Sequence, residues 1–373
     1  LERAKEERKD DTEAETGYQY HFTPNGIDMK EFPYRTWRRI TKEILIDDSK
    51  ELFSLGMPQG DKELRETITK YLFAARGVVC TPGQIIVGAG NDYLLILLQL
   101  LLNKNSVIAF ENPTYTKAYR IMESLGFDVR LMGMDENGIR MDELEDSGAN
   151  IAYVMPSHQF PTGIVTSVGR RHELLKWAAG GEERYLIEDD YDSEFRYRGK
   201  PIPSLQGMDH NGKVIYIGTF SKAIAPAIRV SYMVLPQSLM KEYEKRGKLV
   251  SSTVSRIDQK ILNEFIRCGA FERHLNRMRK IYKGKHDVLM ESLKGFRKKF
   301  TIRGDHAGSH ILLCAKYEVT EQWLRMRAEE NGIKIYCLSD YIIDGEKSPK
   351  GPATVIIGYA GIEVEDIEKG IAA

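Results

Sequence analysis

An excess of charge of either sign is missing from this sequence. Lysine plus arginine number 54, aspartate plus glutamate also number 54, and the formal net charge is zero. These residues therefore carry no bulk electrostatic footprint for nucleic acid or for an anionic membrane surface. Cysteine is scarce too. Cys80, Cys268, Cys314 and Cys337 stand singly, without the paired spacing of a zinc site. Such usage argues against a disulfide framework and fits a reducing compartment, so a cytoplasmic location is expected. A membrane span needs about 20 consecutive apolar residues. Even the stretch YLLILLQLLL at 93–102 falls short, bracketed by Asp92 and Asn103.

Apolar residues, by contrast, are plentiful. They make up 42% of 373 residues, ample for a sizeable core and for two or more domains. The opening LERAKEERKDDTEAET (1–16) is nearly all charge, with no period that would bury a face, and reads as a solvated linker. Between 80 and 240 short apolar runs alternate with stretches of helical length. Seven read as strands: QIIVGAG (84–90), SVIAFE (106–111), DVRLMGM (128–134), IAYVMPS (151–157), RYLIEDD (184–190), VIYIGTF (214–220) and VSYMVLP (230–236). Several are unbroken rather than alternating, as strands covered on both faces are. The pattern predicts an α/β fold, a mostly parallel sheet with helices on both sides. A helical stretch at 237–297, interrupted near GKLVSSTVSR, leads to a tail that reads as a smaller α+β domain.

In doubly wound sheets the chemistry lies beyond the carboxyl ends of the strands. GAGND (88–92) joins a strand to a helix, so its amides could cradle an anion, although glycine in such a turn more often serves only geometry. NPTY ends at Tyr115, and SHQFPTG sets His158 and Gln159 at another strand end. IEDDYDSEF places Asp189, Asp190 and Asp192 around Tyr191, directly after a hydrophobic strand. Carboxylates so near a core need a cation, a donor or a metal; one or two of the three are expected to be solvated loop acids, and no ligand spacing supports a metal. Lys222, in GTFSKAIAPAIR, follows one apolar run and precedes another, a costly place for a hydrated ammonium.

Together these residue types suit pyridoxal 5′-phosphate. That cofactor needs a lysine for its aldehyde, a carboxylate for its pyridine nitrogen, a donor for its phenolic oxygen, and amides, hydroxyls and an arginine for its phosphate. A lysine bound as a Schiff base also explains the apolar setting of Lys222. PSHQFPTG, IEDDYDSEF and GTFSKAIAPAIRVSYMVLP, with similarity running from FSLGMPQGDKELRETI to IIGYAGIEVEDIEKG, resemble the aminotransferase-like domain of MocR-type regulators in the GntR superfamily. Plain aminotransferases usually carry Asn before PTG, where this chain has Phe160.

The resemblance implies a fold-type I architecture: a seven-stranded, mostly parallel sheet and a smaller C-terminal domain. It implies a charged linker (1–16) from an N-terminal winged helix-turn-helix, an arm (17–60), a large cofactor domain (61–280) and a small domain (281–373). By position, Lys222 would be the covalent anchor, Asp189 the partner of the pyridine nitrogen and Tyr191 the donor to the phenolic oxygen. Tyr115 would stack on the ring; Ala89, Gly90, Asn91, Thr219 and Arg229 would hold the phosphate; His158 and Gln159 would line the pocket. A homodimer and DNA contact through the N-terminal reader are implied as well.

Two departures bear on the ligand. In GABA-responsive members of the family two arginines clamp the ligand carboxylate, and their positions correspond here to Lys117 and Asp340. Charge reversal at Asp340 would repel a carboxylate, so the expected effector is a small amine or amino acid other than GABA. Two functions stay open. The domain senses an amine that displaces Lys222 in an external aldimine and so alters DNA binding, or it works as an aminotransferase with Lys222 as general base.

Overall fold

The computed structural model describes residues 17–46, 50–197, 202–343 and 351–373. The charged stretch 1–16 lies outside them.

All seven runs read as strands join one sheet: β1 (Ile85–Gly88), β2 (Val107–Glu111), β3 (Asp128–Met132), β4 (Ile151–Val154), β5 (Tyr185–Asp190), β6 (Val214–Thr219) and β7 (Ser231–Val234). Their order is β1-β7-β6-β5-β4-β2-β3. Only β7 runs against its neighbours, pairing antiparallel with both β1 and β6. Unbroken apolar runs are required because both faces are covered. On β5, Ile187 packs into the cluster holding Leu94, Phe110 and Tyr153, whereas adjacent Leu186 packs with Ala152, Leu174 and Trp177 on the other side. Each such leucine or isoleucine contributes roughly 1.5–3 kcal/mol on burial.

The covering helices begin and end where local chemistry dictates. Asn91–Leu101 starts at Gly90, whose φ of 90° suits glycine, and buries five leucines. Lys62–Arg76 stops at left-handed Gly77. Ser167 and Ser255 cap Val168–Ala179 and Arg256–Arg267 by accepting from backbone amides. The interruption expected near GKLVSSTVSR separates Gln237–Lys245 from Arg256–Arg267. The helix Ala270–Ser292 then runs unbroken through 280, where a domain boundary was expected. Among the described residues no helix is long and apolar enough to cross a membrane.

The tail forms a smaller antiparallel sheet, β8 (Phe300–Arg303), β9 (His310–Ala315), β10 (Tyr336–Cys337) and β11 (Thr354–Gly358), in the order β8-β9-β11-β10. The N-terminal segment lies across it. Tyr20 and His21 pair parallel with Ile333 and Lys334, and Phe22 shares a core with Ile311 and Val355. Two close backbone approaches fix the crossing: a Cβ on Gly358 would stand 1.9 Å from Thr23 O, and one on Gly26 would stand 2.9 Å from Gly361 N. Residues 24–27 are thereby laid over the carboxyl ends of the central strands.

Candidate functional site

A cavity of about 230 Å³ opens at those carboxyl ends. Seven expected residues meet in its wall: Asn91 at a helix start, Tyr115 and Tyr191 beyond strand ends, Asp189 near the end of β5, Thr219 at the end of β6, and Lys222 and Arg229 after it.

Lys222 sits in the turn beyond β6, half-buried in the cavity wall. Burial pushes its amine down to about 8, and only the Asp192 charge pulls the other way. Nζ lies 3.4 Å from Pro24 O, a long contact to the N-terminal segment. A lysine so placed is a nucleophile near neutral pH.

The three aspartates take three different partners, and none is solvated: exposures are 4% for Asp189, 5% for Asp190 and 1% for Asp192. This corrects the expectation of one or two solvated loop acids. Strand alternation separates the first two. Asp189 faces the cavity, where burial pushes its carboxyl up to about 6 while Tyr153 and Asn91 pull back. Asn91 Nδ2 donates to its Oδ2 at 3.0 Å, and the Tyr153 hydroxyl donates to the same oxygen. Asp190 turns away to Arg76 Nε (2.7 Å) and the Tyr216 hydroxyl (2.6 Å). Burial pushes that carboxyl up, but the Arg76 charge prevails and holds it below the ordinary range. Asp192 Oδ2 lies 2.8 Å from His158 Nδ1.

His158 and Gln159, expected to line the pocket, are not in the wall of this cavity. His158, 2% exposed, stands behind Tyr191, whose hydroxyl oxygen is 3.0 Å from the same Nδ1. The Asp192 carboxylate and the Tyr191 hydroxyl thus both meet Nδ1, and the hydroxyl is bonded to Asp192 as well. Burial keeps that phenol protonated, far above its ordinary pKa. Gln159 is a clamp between loops: Nε2 donates to Pro113 O (2.8 Å) and Oε1 accepts from Thr162 N (3.0 Å).

Ala89 and Gly90 lie under Arg229 rather than in the wall. Arg229 Nη2 is 3.5 Å from Ala89 O, and a Cβ on Gly90 would come within 2.3 Å of that nitrogen. Glycine at 90 is what lets the guanidinium settle over the helix start. Arg229 itself has φ 49°, the single positive value of a non-glycine among the described residues. Such a conformation costs roughly 1–3 kcal/mol and persists where surrounding structure imposes it.

Lys117 and Asp340, expected near the effector, are not in the wall of this cavity. Lys117 Nζ pairs with Asp92 Oδ2 at 2.6 Å. Asp340 accepts from Arg325 Nη2 through both oxygens (2.6 and 2.7 Å) and from Cys337 N, so its charge is answered locally. A residue's partner in another helix cannot be read from its own position in sequence.

Several groups were missed. Tyr153 sits inside a strand and reads as core; Asn25 and Ile27 lie in the N-terminal arm. Ser221, visible in GTFSK, had no assigned role. Its Oγ and Asn91 Oδ1 are buried in the wall without a hydrogen-bond partner among the described residues.

The model of the family described as aminotransferase class I and II matches residues 27–351. The chain belongs to that family. Within it the chain stands with the MocR-type regulators of the GntR superfamily. It is 41% identical over 351 residues to the uncharacterized HTH-type transcriptional regulator YhdI of Bacillus subtilis (strain 168), covering 94% of this chain and 74% of the relative. It is 30% identical over 352 residues to the probable rhizopine catabolism regulatory protein MocR of Rhizobium meliloti, covering 94% and 70%. In fold it matches the kynurenine aminotransferase of Pyrococcus horikoshii with a TM-score of 0.85 at 23% identity, over 100% of this chain and 94% of that one. The family's cofactor is pyridoxal 5′-phosphate, and the wall suits it. An amine, a buried carboxylate, an arginine at a helix start and the unpartnered Ser221 hydroxyl are the donor set that molecule requires.

Proposed function

We propose that this chain is the effector-sensing and dimerisation domain of a MocR-type regulator. A small amine competes with Lys222 for the cofactor and thereby alters DNA binding by an N-terminal reader. The carrying observation is that Lys222 and Asp189 share one buried cavity in a chain 41% identical to an HTH-type regulator.

When bound, pyridoxal phosphate supplies an aldehyde that condenses with primary amines and an electron-poor ring. The protein's residues do the rest. Lys222 would hold the cofactor through its amine, whose proton affinity is lowered by burial. Asp189, kept in place by Tyr153 and Asn91, keeps a proton on the ring nitrogen. Arg229, Thr219 and Ser221, with Asn91 at the start of its helix, grip the phosphate. Tyr191 offers its hydrogen to the phenolic oxygen, and Tyr115 covers the ring.

Specificity falls to the remaining wall. Its cations are Lys222 and Arg229, both engaged by the cofactor in this reading; Asn25, Ile27 and Phe160 bring an amide and apolar surface. The matching effector is an amine with an uncharged distal end. Isothermal titration of the cofactor-loaded protein with a panel of small amines, diamines and amino acids tests this. Micromolar binding of GABA, with none by uncharged amines, overturns it.

A further inference from the structure

The Tyr191 hydroxyl has one hydrogen and, with the cofactor in place, two acceptors for it. One is the cofactor's phenolic oxygen, where the proposed function puts it. The other is Asp192, which already takes a bond from that hydroxyl and whose Oδ2 lies 2.8 Å from His158 Nδ1. Tyr191 and His158 meet as well, at 3.0 Å, so phenol, imidazole and carboxylate close a triangle. A carboxylate only accepts, so the hydrogens of both its contacts come from the other two groups.

The triangle is buried and its imidazole cannot swing away. A Cβ on Gly308 would overlap His158 Cε1, and one on Gly163 would stand 3.4 Å from Nε2. Gly308 is itself fixed, because the hydroxyls of Tyr197 and Tyr359 both donate to its carbonyl, at 2.7 and 2.9 Å. His158 Nε2 is buried with no hydrogen-bond partner among the described residues, which leaves Nδ1 as the ring's bonded corner. The neighbouring imidazole of His310, 5.1 Å away between ring centroids, has Nε2 2.9 Å from Pro161 O. Burial pushes it well below its ordinary pKa, so it adds no charge. Across the cavity, Asp192 is the charge that opposes the effect of burial on the Lys222 amine. Asp189 and Asp190 join it in raising the Tyr191 phenol, after burial.

We propose that Asp192 and His158 are positioning residues that set how far the Tyr191 hydrogen is given to the cofactor. Asp192 draws the hydrogen back from the phenolic oxygen; His158, by bonding to Asp192, weakens that draw. The consequence falls on the nitrogen joining Lys222 to the cofactor. A donor at the phenolic oxygen lowers the proton affinity of that nitrogen, whereas a nearby carboxylate raises it. Asp192 thus acts twice in one direction, by its charge and by withholding a hydrogen. This role rests on Tyr191 meeting the phenolic oxygen, and it holds whichever amine is sensed.

The test titrates the chain loaded with pyridoxal phosphate against pH and records visible absorbance, which reports whether that nitrogen carries a proton. Asp192→Asn, which keeps the shape and removes the charge, should lower the midpoint by about 0.5–1 pH unit, the scale of one hydrogen bond. His158→Leu should raise it by a similar amount. His158→Asn, whose amide can donate from near the Nδ1 position, should bring it back toward that of the unsubstituted protein. Opposite shifts are not what a loosened fold produces; shifts of one sign, or none, overturn the proposal. Tyr191→Phe should raise the midpoint and cancel any further effect of His158→Leu. No change in Tyr191→Phe would remove Tyr191 from the phenolic oxygen and this role with it, whereas a raised midpoint with a persisting His158→Leu effect overturns the role alone. In the cofactor-free protein, Asp192→Asn should also move half-maximal trapping of a small aldehyde on Lys222 below about pH 8, and an unchanged midpoint there counts against the proposal.

Discussion

Asp189 and Asp190 are neighbours in sequence, buried alike, and chemically opposite. Burial lifts the first to about 6 beside a tyrosine and an asparagine, whereas a guanidinium 2.7 Å from the second holds it ionised and low. The strand's period of two sends one toward the cofactor cavity and the other toward the scaffold. A different contrast separates this pair from Asp92 and Asp340. Those two sit in partly exposed ion pairs with Lys117, Arg229 and Arg325, where solvent screens the charge. Buried groups have their protonation set by what surrounds them; exposed pairs contribute little and can exchange partners.

The largest expected effect breaks the scaffold side. Arg76→Ala leaves Asp190 buried without its cation and should destabilise the protein by about 3–5 kcal/mol, read from the denaturant midpoint. An unchanged midpoint would erase the distinction between the two aspartates. On the chemical side, Lys222→Ala should abolish the covalent adduct seen by mass spectrometry after borohydride reduction, while the thermal transition of the cofactor-free protein persists. An adduct of undiminished yield would show that another lysine is the anchor.

A third prediction concerns pH. Lys222 titrates near 8 in the folded protein against about 10.4 for a free lysine. Between these values the unfolded chain binds the extra proton, so the cofactor-free protein gains stability as pH rises from 8 to about 10, and the gain should vanish in Lys222→Met. Trapping of a small aldehyde on Lys222 should likewise reach half its maximal rate near pH 8. A midpoint near 10 would mean the site is wetter than its burial indicates. The smallest effects belong to the exposed pairs. Lys117→Ala and Asp340→Ala should each change stability by about 1 kcal/mol or less, and effector affinity by less than about 3-fold. A 100-fold loss of effector binding in either would return these residues to the recognition surface.

Much of this was legible in sequence because it depends on neighbours along the chain. The seven strands announce themselves as unbroken apolar runs, and the chemistry-bearing residues follow at their carboxyl ends. Lys222 stood out because an ammonium between two apolar runs needs an explanation. What stayed hidden depends on partners far away in the chain. Nothing near Asp340 points to Arg325, and Tyr153, the donor to Asp189, is indistinguishable in sequence from a core aromatic. Asn25 and Ile27 reach the cavity only because the N-terminal segment crosses the small sheet, a pairing set by Gly332 and Lys334, some 310 residues on.

That crossing has a mechanical side. At Gly358 and Gly26 backbone meets backbone, with no side chain between to act as a spring. The strap over the cavity is therefore pinned directly to the sheet beneath it, and a molecule that contacts Asn25 touches a segment whose backbone is held against that sheet.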